Sequence, residues 1–172
     1  MNIQDLLNDK GKKSKEKTET ISKWLLDEKI SADELIGFAG SSKDPIKATC
    51  IEAIEFVTKT NPSVADESVL DFVSKTLKEK APRIKWESAR VIGNIAHLFP
   101  DQLENAIKNL LTNSEHEGTV VRWSAAFALG QILKLKTKHN KKLLPAIEGI
   151  IKKEEKNSIK KIYLDAIKKT GK

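Results

Sequence analysis

Two tryptophans stand 37 residues apart in near-matching surroundings, Ile84-Lys85-Trp86-Glu87-Ser88-Ala89-Arg90-Val91-Ile92-Gly93-Asn94-Ile95 and Val121-Arg122-Trp123-Ser124-Ala125-Ala126-Phe127-Ala128-Leu129-Gly130-Gln131-Ile132. Trp86, Arg90 and Asn94 fall at i, i+4, i+8, and so do Trp123, Phe127 and Gln131, which puts each set on one face of a helix. Indole, guanidinium and carboxamide groups in a row are recognition chemistry, since Trp and Arg are the side chains most often found as binding hot spots. Lys85 and Arg122 precede the two tryptophans and add a cation beside each. The competing reading is structural, with both indoles packed between helices. Partly exposed tryptophans favour binding, and fully buried ones favour packing.

Signatures of catalysis are missing by comparison. His97, His116 and His139 are too far apart for paired zinc ligands, so no metal is expected. Gly93 and Gly130 lie inside helical patterns rather than in a phosphate loop, and no G-x-S-x-G elbow occurs. Cys50 aligns with Ser88 and Ala125 and reads as a small buried filler rather than a nucleophile. No catalytic residue, cofactor or small-molecule substrate is assigned.

The elements that must carry the tryptophans recur. A shift of 38 residues back from Ile84 reaches Ile46–Val57, and one of 38 forward from Val121 reaches Ile159–Ile167. Such a period with only helical patterning predicts stacked helix pairs. Ile3, Leu6 and Leu7 suit a short first helix, the run from Lys10 to Lys17 reads as solvated, and Ile21, Trp24, Leu25 and Leu26 form an apolar face. Ser31 with Glu34 matches a capping box, and Asp44 caps a helix with Pro45 at its first position. Asn61-Pro62 stops that helix. Further helices are expected over 64–80, from Pro82 to Phe99, from Asp101, over 119–136, around Leu143–Ile151 and from Asn157. The division is 1–30 as N-terminal capping helices with a Lys-rich stretch, then repeats at 31–61, 62–99, 100–136 and 137–172.

The net charge of +7 is uneven, because residues 134–172 hold 13 lysines against four acids. A basic end could meet phosphates or an acidic protein, or could simply keep a solenoid soluble. No apolar run approaches a membrane span, the N-terminus lacks a signal-peptide core, and one cysteine excludes a disulfide framework. A soluble, cytoplasmic protein without a membrane partner is expected.

The second helices resemble the V-R-x-A-A-x-A-L-G-x-L pattern of HEAT repeats, with Val121–Ile132 fitting well, Ile84–Ile95 nearly as well, and the 46–57 and 159–170 copies degenerate. The resemblance covers about residues 31–170 and implies an all-α, armadillo-like right-handed superhelix of four to five antiparallel helix pairs. It implies that second helices line the concave face, placing Ala48, Glu52 and Phe56, then Trp86, Arg90 and Asn94, then Trp123, Phe127 and Gln131, then Lys161, Asp165 and Lys169 in the groove. Phe56 and Phe127 are expected to sit mainly in the core. It also implies that the cation column Lys47, Lys85, Arg122 and Lys160 bonds acids of nearby repeats, with Asp44 and Glu117 as candidates.

The function implied is a non-catalytic scaffold binding a protein or peptide. The alternative is nucleic-acid binding, since some alkylated-base DNA glycosylases resemble this chain in fold and in groove Trp and Arg. They need a carboxylate beside the tryptophans, and Glu87, about 100° round the helix from Trp86, is expected to point away. Phycobilin lyase chemistry also occurs on related repeats, and no residue here points to it.

Overall fold

The computed structural model describes residues 2–171, and among them every regular element is helical. Ten α-helices follow in order: α1 Ile3–Asn8, α2 Ser14–Leu26, α3 Ala32–Gly40, α4 Asp44–Thr58, α5 Glu67–Thr76, α6 Pro82–Ile95, α7 Glu104–Asn113, α8 Thr119–Lys134, α9 Asn140–Lys153 and α10 Asn157–Lys169. Even-numbered helices stack as one layer, α2 on α4, α4 on α6, α6 on α8 and α8 on α10, while α3, α5 and α7 stack as a second. The chain is thus an armadillo/HEAT-like helical repeat solenoid, with each odd helix paired to the even helix that follows it.

Local chemistry sets the boundaries, and several differ from the sequence reading. The solvated run before residue 17 is already helix from Ser14, because Glu16 Oε2 accepts the Lys13 N–H at 2.7 Å and satisfies an otherwise free donor. Thr18, Ile21, Ser22 and Leu25 then give α2 a stripe to bury, although Leu26 turns out to solvent. Ser31 caps α3 through the Glu34 N–H. Asp44 is the first residue of α4 rather than its cap, and Pro45 follows it. The helix expected from Val64 begins only at Glu67, after a 3₁₀ turn over Pro62–Val64, because Asp66 accepts from the N–H groups of Ser68 and Val69. Those bonds, led by the Ser68 hydroxyl, hold the Asp66 carboxyl below its ordinary range. Likewise Asp101 lies in a turn, and α7 starts at Glu104 behind a fully buried Leu103.

The core runs unbroken between the layers. Ile51, Ile54, Ile84, Ile92, Ile95, Leu129 and Ile132 from the even helices meet Leu35, Val69, Val73 and Leu110 from the odd ones. Cys50 is fully buried among them, and burial pushes its thiol up to about 12, which makes it inert filler. No helix of the described residues is long and apolar enough to cross a membrane.

Candidate binding face

The even helices carry the candidate residues singled out from the sequence, and small side chains decide how close the helices come. Asn94, at the end of α6, donates to the Glu55 carbonyl at 3.2 Å and to Thr58 Oγ1 at 3.1 Å, tying α6 to α4. Asn94 is therefore spent on the stack rather than held out for a partner. Gly93 has a different task. A Cβ built there would lie 2.4 Å from Phe127 Cε1, so the glycine is the seat for the phenyl ring of the next repeat. Phe127 is half-buried in that seat and stacks on Trp123 with centroids 6.2 Å apart and planes 10° from parallel.

Trp123 is the exposed member of the group, with 38% of its surface free. Its ring is clamped by contact rather than by hydrogen bonding: Phe127 lies along it and the Arg90 guanidinium sits 5.4 Å from its centroid. An indole packed against a ring and a cation loses little further freedom when a partner covers it. Gln131, half-buried one turn beyond Phe127, accepts from Lys134 at 3.4 Å.

Trp86 behaves otherwise. It is half-buried, and its Nε1 donates to Glu87 Oε1 at 3.0 Å. Glu87, expected to point away, is 5% exposed and folded in beneath the indole. Burial, with like charge from Glu52 and Glu55 against the indole bond and Arg90, raises its carboxyl to about 7. The helical angle between neighbours was correct as geometry, but a glutamate is long enough to turn back along the helix and reach the adjacent indole. Because this carboxylate is buried, it is not presented to a ligand in the groove. Phe56 corrects a second expectation, since it stands 55% exposed on α4 rather than in the core.

Lys85 and Arg122 belong to the stack. Arg122 donates through Nε and Nη2 to the two Glu154 oxygens at 3.0 and 3.3 Å, and through Nη1 to the His116 and Glu117 carbonyls. Bonds from Arg122 and from backbone N–H groups outweigh burial and hold Glu154 below its ordinary range. Lys47 pairs with Glu79 at 2.8 Å, which like the Arg122 bond spans 32 residues forward. Lys85 breaks the series: it donates to the Leu77 carbonyl and Asn113 Oδ1, while Glu117, at the corresponding place, stays exposed. Thus Glu79 and Glu154, not Asp44 or the Glu117 carboxylate, are the acids of the ladder. Sequence spacing points to them in part, because Lys47 and Arg122 each lie 32 residues before their acid, although the same offset from Lys85 reaches Glu117, which Lys85 does not bond.

A cleft of about 800 Å³ lies between the C-terminal half of α7 and α9, with Leu111, Ala146, Gly149 and Ile150 among its lining. It is on the opposite layer from the tryptophans.

No family model matches the chain and no curated protein is a detectable relative. Solved structures give the fold. A computationally designed armadillo repeat protein for modular peptide recognition superposes at TM-score 0.76 with 16% identity, over 97% of this chain and 80% of that one. A designed armadillo repeat protein in complex with the peptide (KR)4 matches at TM-score 0.71 and 15% identity, over 97% and 80%. The complex of CpcE and CpcF of phycocyanin lyase from Nostoc sp. PCC7120 matches at 0.72 and 16%, over 95% and 96%. A longer engineered protein matches at 0.67 and 19%, covering 82% of this chain, which spans only 38% of its length.

Proposed function

We propose that the protein is a non-catalytic scaffold that binds an extended peptide or protein segment along the face of its even helices. The observation that carries this reading is Trp123, exposed yet held in contact with both Phe127 and Arg90. A large apolar ring kept at the surface in a fixed pose costs the free protein hydration and rewards a partner that covers it. Phe56, exposed two helices away on α4, offers a second anchor on the same layer. Armadillo proteins designed for peptide recognition share the architecture, which supports the reading at the level of fold.

Nucleic acid fits less well. A phosphate backbone rewards cations along its whole path, whereas on the α4–α6 part of the face Arg83 is already paired with Glu52 and Asn94 is turned to the stack. The test is selection of linear peptides from a random display library, followed by affinity measurement on Trp123→Ala. Peptides that bind in the micromolar range should lose tenfold or more with Trp123→Ala while circular dichroism stays unchanged. Selected peptides that ignore both Trp123→Ala and Phe56→Ala would place the binding surface elsewhere and end the proposal.

A further inference from the structure

Of the chain's three arginines, two have carboxylate partners within the molecule: Arg83 on Glu52 and Arg122 on Glu154. Arg90 has none. Among the described residues it forms no ion pair and no hydrogen bond, and its Nε is buried without an acceptor. What it touches is the Trp123 ring. Glu87, on the same helix, does not answer it: one oxygen takes the Trp86 N–H, and the other is itself buried with no partner. Both ends of a possible Glu87–Arg90 bond are thus present and unjoined.

We propose that Arg90 receives a carboxylate from the bound partner, so that the segment recognised is acidic, with an Asp or Glu set next to the side chain that covers Trp123. This rests on the peptide-binding reading above and adds the chemistry of the peptide. A guanidinium offers a planar fork that matches a carboxylate in two parallel bonds, and its contact with the indole restrains the side chain before the ligand arrives. The neighbourhood agrees. Helix α8, which carries Trp123, contains no acid at all. Helix α10, packed against α8, presents exposed Lys161 and Lys169 with Asp165 between them. Apart from Asp165, the acids near this face are Glu52 and Glu55 of α4 and the buried Glu87 of α6. A segment whose negative charge falls between Arg90 and α10 therefore meets cations, and the remainder of the segment need not be charged. The designed relative bound to (KR)4 takes the opposite charge, so the assignment depends on this chain's own residues and not on the shared fold.

The experiment is fluorescence anisotropy at physiological salt with three labelled probes: an eight-residue peptide alternating Glu and Leu, its Lys/Leu counterpart, and an eight-nucleotide single strand. The proteins are wild type, Arg90→Gln, Arg90→Lys and Trp123→Ala, each checked for helicity. The Glu/Leu peptide should bind, Arg90→Gln should weaken it at least tenfold, and Arg90→Lys should restore part of the loss. Preference for the Lys/Leu peptide, still sensitive to Trp123→Ala, would overturn the Arg90 assignment and leave the peptide-binding face intact. Binding of the oligonucleotide in place of the Glu/Leu peptide, lost in Arg90→Gln, would overturn it in favour of phosphate. Binding that ignores Arg90 and Trp123, or no binding of any probe, would sink both readings.

Discussion

The repeats built on α6 and α8 start from nearly one sequence and finish with opposite uses for their tryptophans. Trp86 is drawn inward and Trp123 is held outward. The cause is the following residue. Glu87 is long enough to accept the Trp86 indole N–H, whereas Ser124 at the same register is too short, and its hydroxyl is buried without a partner. Trp123 is left to be positioned by its faces. The glycine one further turn along adds to the difference. Gly93 accepts Phe127 from the next helix, which becomes the shelf for Trp123, whereas the nearest neighbours of Gly130 are Ala166 and Ile162 of α10. An aromatic platform thus needs two repeats: a glycine in one and a phenylalanine in the other. Only the α6–α8 junction has both.

The cation column makes the same comparison and should give the largest effect. Arg122 is bonded to a Glu154 side chain that is only 3% exposed, whereas Lys85 meets neutral oxygens. Removing one partner of a buried pair strands the other charge, so Arg122→Ala should cost about 4 kcal/mol in urea unfolding at pH 7. Lys85→Ala should cost about 1 kcal/mol, the worth of ordinary hydrogen bonds. Equal losses would mean the two rungs are equivalent. Glu154 sharpens the test through pH. Its carboxyl is held below its ordinary value in the folded chain, so its contribution is complete above the unfolded value of 4.5 and fades as pH falls through the folded one. Arg122→Ala should flatten that part of the acid limb.

Glu87 behaves with the opposite sign. Its folded value of about 7 lies above the model-peptide 4.5, so the native state keeps a proton that the unfolded chain releases. Stability is therefore lost as pH rises from 4.5 to 7 and stays at the lower level above that. Converted at 1.36 kcal/mol per unit, the penalty approaches about 3 kcal/mol at pH 8. Glu87→Gln keeps an acceptor for Trp86 and removes the charge. It should be more stable than wild type by up to about 3 kcal/mol at pH 8, and indistinguishable from it near pH 4. The groups acting on this carboxyl are Glu52 and Glu55 of α4 and Arg90 and the Trp86 indole of α6. A difference between the proteins that does not change with pH would show that Glu87 is ionised throughout.

These particulars mark what a sequence can disclose. The helix order and repeat register were legible because apolar spacing and the 37–38 residue shift depend on main-chain geometry alone. The ends of helices were less legible, since a single acceptor such as Glu16 or Asp66 moves a boundary by several residues. The face bearing Trp123, Phe127 and Arg90 was legible from i, i+4 spacing. The fate of individual side chains on it was not. Asn94 turned to the Glu55 carbonyl and Glu87 to an indole because long polar side chains choose the nearest unsatisfied group, and that group sits on another helix or beside a neighbour. Phe56 was read as core from its apolar type, yet its register matches Asn94 and Gln131 rather than Phe127, and it stands 55% exposed.

The two mid-helix glycines give the finest version of the comparison. In a helix interior, alanine is worth up to about 1 kcal/mol more than glycine, so both Gly→Ala changes begin with a gain. At Gly130 the new methyl would lie 3.4 Å from the Ala166 Cβ, a contact that closes with a small shift, and the variant should be at least as stable as wild type. At Gly93 the methyl would meet Phe127 at 2.4 Å, and the ring must leave its seat. Overpacking of this kind costs about 1–3 kcal/mol, which leaves Gly93→Ala destabilised by about 1 kcal/mol after the helical gain. The more telling readout is optical. Displacing Phe127 removes the shelf under Trp123, so tryptophan emission should shift to the red in Gly93→Ala and remain unchanged in Gly130→Ala. Adding Phe127→Leu to Gly93→Ala should relieve the clash and recover stability without recovering the emission. If it recovered both, Trp123 would be positioned by Arg90 alone, and the aromatic platform would be a property of one repeat instead of the junction between two.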